Sequence, residues 1–63
     1  MSERLLSYRE AAELLNVAPI TVRKWTTERR IPFIKLGKSV RFDPTELAAW
    51  VRSNTVDPIG GRR

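Results

Sequence analysis

A sharp turn between two short helical patterns limits most strongly what this chain can fold into. Ala12, Asn16 and Val22 occur in the order small residue, turn residue and aliphatic residue, four and then six positions apart. Two helices can cross closely at the small residue, and Asn tolerates the left-handed backbone that ends a helix. This spacing is typical of a helix-turn-helix. An ordinary helical hairpin with a polar outer face is the alternative that spacing alone leaves open.

Capping signals mark the ends of both helices. Ser7 and Glu10 match the S-x-x-E capping box, so the first helix is predicted over residues 8–15. Pro19 is favoured at the first position of a helix, and the second helix is predicted to run from there to residue 27 or 28.

Residues 33–42 alternate in polarity on both sides of a glycine-containing turn, which predicts a β-hairpin. A three-residue turn over 37–39 sets the register, with the apolar side chains on one face and two cations on the other. The predicted cross-strand pairs are Leu36 with Val40 and Ile34 with Phe42, and the two cations are Lys35 and Arg41.

A last helix follows the hairpin. Asp43 is predicted as its N-cap and Pro44 as its first residue, and it should end near Ser53 or Asn54. The predicted fold is therefore mainly α with a β-hairpin, a winged helix-turn-helix in the order helix, helix, hairpin wing, helix. Residues 1–54 are predicted to form this domain and residues 55–63 a flexible tail. The predicted structural core consists of Ala12, Leu15, Val22, Trp25, Leu47 and Trp50.

Basic residues are concentrated in the middle of the chain. The sequence has 12 Lys and Arg against 7 Asp and Glu, a net charge of +5. Between Arg23 and Arg41 there are seven basic residues and one acidic residue, so this segment alone carries +6. Such segregation favours an anionic partner, either nucleic acid or an anionic membrane surface. A solvated face that keeps the chain in solution is the alternative.

The helix pair and the charge together predict binding to double-stranded DNA, with the second helix in the major groove. Arg can bond two acceptors of guanine, Thr can contact a thymine methyl group, and Lys suits a base or a phosphate. The basic hairpin is predicted to contact phosphates or the minor groove; a hairpin that only covers the core is the alternative. The predicted recognition residues are Ile20, Thr21, Arg23, Lys24 and Thr27, and the predicted wing and phosphate contacts are Arg29, Arg30, Lys35, Lys38, Ser39 and Arg41.

The composition argues against catalysis. The sequence has no Cys and no His, which excludes disulfides, thiolate metal sites and the usual general base. The carboxylates show no metal-ligand spacing, so no enzyme activity, metal or cofactor is expected. There is no apolar run of about 20 residues and no signal-peptide pattern. A cytoplasmic chain that acts on DNA, with no membrane partner, is expected.

Three stretches of the chain carry a family resemblance: LLSYREAAELLNVAPITVRKW, RRIPFIKLGKSVRF and DPTELAAWV. They resemble the excisionase family of small winged-helix proteins, which are relatives of the MerR-type DNA-binding domain. The resemblance covers about residues 5–52. One departure is Ala18, which stands where such domains usually have a hydroxyl residue as the helix cap.

The resemblance implies a role. Arg23 and Lys24 match the family's recognition-helix positions, and Lys38 and Arg41 match its wing. Many family members are recombination directionality factors of phages and mobile elements. They bind repeated sites beside an attachment site, often cooperatively, and bend the DNA so that a separate integrase excises the element.

These observations predict an architectural DNA-binding protein, an excisionase that binds double-stranded DNA with other copies of itself and with an integrase. A small MerR-like transcriptional regulator is the first alternative. A protein-interaction adaptor with an incidental basic face is the second.

Overall fold

The computed structural model describes residues 4–56. Residues 57–63, most of the predicted tail, lie outside the described residues. The elements follow one another as α1 Tyr8–Leu15, α2 Pro19–Thr27, β1 Ile34–Leu36, β2 Ser39–Arg41 and α3 Pro44–Ser53. The two strands form an antiparallel hairpin. This arrangement confirms the predicted winged helix-turn-helix fold.

Side-chain caps begin α1 and α3. The Ser7 hydroxyl accepts from the Glu10 N–H at 3.1 Å, and the Glu10 carboxylate accepts from the Ser7 N–H at 2.9 Å. The Ser7 backbone hydrogen bond and the Arg4 guanidinium hold the pKa of Glu10 below its ordinary value of 4.5. At α3, the Asp43 carboxylate accepts from the Thr45 N–H at 2.9 Å. Both caps satisfy N–H groups that a helix cannot pair internally.

The turn between α1 and α2 is made by one residue in a left-handed conformation. Asn16 has φ 59° and ψ 45°. Its N–H bonds to the Glu13 carbonyl at 3.2 Å, while the Val17 N–H bonds to the Ala12 carbonyl at 3.0 Å. This pair of hydrogen bonds is a Schellman motif, and it redirects the chain directly into α2.

One small core joins all the elements. The Ala12 methyl group is buried at the point where α1 meets α2, and Trp25 and Trp50 join α2 to α3 through rings 5.5 Å apart. Val51 of α3 is 45% exposed. The buried apolar residues are Ala11, Ala12, Val22, Ile31, Phe42 and Leu47. The half-buried residues of the predicted core, which pack against this set, are Leu15, Trp25 and Trp50.

The segment before α1 pairs with the end of the wing. Leu6 and Phe42 exchange two backbone hydrogen bonds, with N···O distances of 2.7 and 2.8 Å. The Phe42 side chain is fully buried, and its ring lies edge-on to Tyr8 at 5.5 Å. This bridge fixes the base of the wing against α1.

The predicted register of the hairpin is wrong by one residue on β1. The observed pairs are Ile34 with Arg41, Lys35 with Val40 and Leu36 with Ser39. The turn therefore has two residues, Gly37 and Lys38. Gly37 has φ 64°, and a glycine at the first position of a two-residue turn matches the twist of the strands.

The shift exchanges the faces of β1, because side chains alternate along a strand. Phe33 and Val40 pack against the core, and Lys35 lies on their side of the hairpin. Leu36 is 53% exposed on the other side, which it shares with Arg41. Lys35 and Arg41 are thus on opposite faces, contrary to the prediction.

Helix α2 begins without a side-chain cap, because Ala18 occupies the N-cap position with an extended backbone (φ −72°, ψ 146°). Ala18→Ser keeps this backbone and supplies the missing acceptor. We expect it to raise the free energy of unfolding by about 1 kcal/mol, which is about 4–8 °C in melting temperature. Thermal and urea denaturation measure the change. Ala49→Ser, at an exposed interior position of α3, is the control and should lower stability by a few tenths of a kcal/mol at most. Equal effects of both substitutions would contradict a capping origin.

Candidate DNA interface

The outer face of α2 gathers all five predicted recognition residues. Ile20 is 68% exposed, and Arg23, Lys24 and Thr27 are also exposed, while Thr21 is half-buried. Together with Glu28 they line a shallow concavity on the surface. The opposite face of α2 carries the buried Val22 and Thr26, so the helix is anchored by one side and presents the other to solvent.

Arg23 is held over an aromatic ring. Its guanidinium carbon lies 4.6 Å from the centroid of the Tyr8 ring, within the range of a cation–π interaction. Tyr8 in turn contacts the Phe42 ring at the base of the wing. These side-chain contacts connect α2, α1 and the wing. Arg23 and Tyr8 are far apart in the sequence, and no sequence pattern predicts their contact.

Buried Thr26 is a polar residue on the core side of α2. Its hydroxyl donates to the Val22 carbonyl at 2.9 Å, one turn earlier in the helix. Sequence reasoning missed this residue. A Thr among buried residues gives no distinct signal, because its hydroxyl can be satisfied by its own helix.

The end of α2 repeats the geometry of the end of α1 with a different residue. Arg29 has φ 57°, in the left-handed region. Its N–H bonds to the Thr26 carbonyl at 3.0 Å, and the Arg30 N–H bonds to the Trp25 carbonyl at 2.8 Å. The chain turns here toward the wing. The Arg30 guanidinium lies 3.2 Å from the Glu28 carboxylate, an exposed ion pair.

The predicted wing residues do not form one surface. Lys35 lies on the side of the hairpin that faces the helices, where it lines a cleft with Tyr8 and Arg29. Lys38 and Ser39 are exposed at the turn. Arg41 lies on the other side of the hairpin, and its guanidinium donates to the Val40 carbonyl at 2.8 Å.

Most of the central positive charge is unpaired. Within residues 4–56, the ion pairs are Arg4 with Glu10 and Arg30 with Glu28. An array of cations that are not neutralised by ion pairs is suited to the evenly spaced phosphates of a nucleic acid. The basic residues of the α2–wing segment that form no ion pair in this part of the chain are Arg23, Lys24, Arg29, Lys35, Lys38 and Arg41.

The described residues offer neither a cluster of metal ligands nor a membrane-spanning helix. In the part of the chain that the structure describes, no group of three Asp, Glu, His or Cys side chains could hold a metal ion. None of the described helices has the length and apolar character needed to cross a membrane.

The fold and this surface define a winged helix-turn-helix domain, a class that binds DNA. The chain belongs to the helix-turn-helix domain family, whose family model matches residues 5–55. It is also 35% identical over 63 aligned residues to the transcriptional repressor DcmR of Methylorubrum extorquens. That alignment covers 94% of this chain and 24% of the repressor, so the chain spans about a quarter of its relative. No solved structure matches the chain significantly.

Arg23→Ala should weaken binding to a selected DNA site by about 1–3 kcal/mol and relax the preference at one base pair, if Arg23 bonds guanine with both nitrogens. Competition binding against duplexes that vary each position measures both effects. Arg52→Ala removes an equal charge from an exposed position of α3 and is the matched control. An equal loss of affinity on every duplex would instead identify Arg23 as a phosphate contact.

Proposed function

We propose that this domain binds double-stranded DNA sequence-specifically, with α2 in the major groove and the wing beside it. The observation that carries the proposal is the exposed face of α2. That face carries two cations, Arg23 and Lys24, that have no ion-pair partner among residues 4–56. The opposite face of α2 is anchored in the core. Membership of the helix-turn-helix family supports the same binding mode.

The side chains on the exposed face of α2 are suited to contacting the edges of bases in the major groove. Arg23 supplies a planar pair of donors that matches the two major-groove acceptors of guanine. Ile20, which is 68% exposed, is an apolar side chain on a surface otherwise dominated by charge. Its contact with a thymine methyl group would bury this side chain and add discrimination that phosphate contacts cannot supply.

The proposed role is architectural. In this proposal the protein is an excisionase: it binds beside an attachment site on DNA in the host cytoplasm, bends the duplex and directs a separate integrase toward excision. It cuts nothing itself and needs no cofactor. Resemblance to the excisionase family supports this role. A single small module covers only about 600–1,000 Å², so several copies side by side would be needed for adequate specificity.

A transcriptional regulator is the second candidate. The similarity to the repressor of Methylorubrum extorquens favours it, since that relative is named for transcriptional repression. The similarity covers about a quarter of the repressor. It therefore supports a shared DNA-binding module more directly than a shared regulatory activity.

DNA binding should depend steeply on salt. If the free cations neutralise about four to six phosphates, the log of the association constant should fall against the log of the salt concentration with a slope near −0.9 per phosphate. Fluorescence anisotropy with labelled duplexes measures this slope. A flat response would contradict DNA binding and favour the protein-interaction adaptor.

The role is decided by where the protein binds and whether it bends the site. An excisionase should protect several tandem repeats beside an attachment site in fragments of the source genome. Its complexes with circularly permuted fragments should also migrate at different rates in a gel, because the position of the bend differs among them. Footprinting and gel mobility measure the two properties. Protection of one isolated site over a promoter, without bending, would favour the regulator.

The wing is tested by the double substitution Lys38→Ala and Arg41→Ala. The register places these residues at the turn and on the outer face, so their loss should weaken binding and reduce the bend while α2 still selects the same site. The same gel assay measures the bend. An unchanged bend would remove the wing from the mechanism.

A further inference from the structure

A cleft separates the end of α2 from the inner face of the wing. Its walls include the half-buried side chains of Phe33 and Val40. The cleft is also lined by polar and charged residues, which include Tyr8, Thr27, Arg29 and Lys35.

The cleft concentrates positive charge. Arg29 and Lys35 line it, no carboxylate does, and neither cation has an ion-pair partner among residues 4–56. A third cation, Arg23, stacks on the Tyr8 ring that forms part of the lining. Like charges brought together repel one another, and an anion bound between them removes that repulsion.

Arg29 occupies its position at a conformational cost. The left-handed residue after a helix is usually Gly, because any side chain clashes with the backbone in this conformation. Asn16 has the same geometry after α1, and Asn is one of the few other residues that tolerates it. An arginine at such a place is an outlier from which a function of its side chain can be inferred.

We propose that the cleft is a binding site for a single phosphate group of the DNA backbone. Arg29 and Lys35 provide the charge, and the hydroxyl groups of Tyr8 and Thr27 provide hydrogen-bond donors. Because the same Tyr8 ring supports Arg23, phosphate binding fixes the position of the side chain that reads the base. This inference rests on the proposed DNA-binding function and names the backbone contact that orients α2 in the groove.

The substitution Arg29→Gly separates two effects of the Arg29 side chain: its destabilisation of the left-handed backbone and its contribution to DNA binding. The substitution relieves the left-handed backbone, so the melting temperature should stay the same or rise by roughly 2–5 °C. DNA affinity should nevertheless fall by about tenfold, and the salt slope should become shallower by about 0.9. Asn16→Gly changes the equivalent residue after α1 and is the matched control, with DNA affinity expected within about twofold of the wild type.

Replacing single phosphates by uncharged methylphosphonates locates the contact on the selected site. At one position the wild type should lose about tenfold in affinity, whereas Arg29→Gly and Lys35→Ala should lose little there. Tyr8→Phe keeps the ring beneath Arg23 and removes only the hydroxyl. It should lower affinity with little change in the salt slope.

The outcomes distinguish this inference from the function on which it rests. If the wild type shows no salt-dependent binding to duplex DNA, both are wrong. If the wild type binds and Arg29→Gly matches it in affinity and slope, only the phosphate site is wrong. Sensitivity of the two variants at different methylphosphonate positions would also overturn it, because Arg29 and Lys35 would then contact separate phosphates.

Discussion

The burial of Phe42 is the interaction on which the rest of the structure depends. Its side chain is fully buried, its backbone exchanges two hydrogen bonds with Leu6, and its ring contacts Tyr8. A buried aromatic side chain contributes about 3–5 kcal/mol, a large share of the stability of so small a domain. It also directly precedes the Asp43 cap of α3. One residue thus joins the start of the domain, the wing and the last helix.

The same contact relates the wing to α2. Phe42 packs on Tyr8, and Tyr8 carries the guanidinium of Arg23 on its ring. The two parts of the candidate interface are therefore connected through side chains of the core and not only through the backbone between them. These contacts hold the wing and α2 in one arrangement without DNA, and such preorganisation lowers the entropic cost of binding.

Local signals made the helices predictable from the sequence. The Ser7 and Glu10 pair, Pro19 and the Asp43-Pro44 pair each act within a few residues of a helix end, and all three helices begin where these signals indicate. The exposed face of α2 was predictable for the same reason, since helical spacing determines which side chains share a face.

The hairpin register and the contacts between distant residues could not be predicted, because no short sequence pattern encodes them. The hairpin register depends on whether the turn has two residues or three, and Ser39 fits either possibility. A shift of one residue placed Lys35 on the face that lines the cleft and Leu36 on the opposite, exposed face. The Leu6 bridge and the stacking of Arg23 on Tyr8 join distant parts of the chain. The cleft that Arg29 lines is formed by residues from distant parts of the chain, so no short pattern predicts it either.

The bridge between Leu6 and Phe42 also has a consequence for motion. The α1–α2 pair is built from contacts between neighbouring elements, whereas the wing is positioned by a contact that closes most of the domain into one loop. Loss of the two hydrogen bonds at that bridge would loosen the hairpin without removing a backbone hydrogen bond of α1 or α2. Domains open in such cooperative units at free energies below that of global unfolding. We therefore expect the amide protons of the wing to exchange with solvent before those of α2.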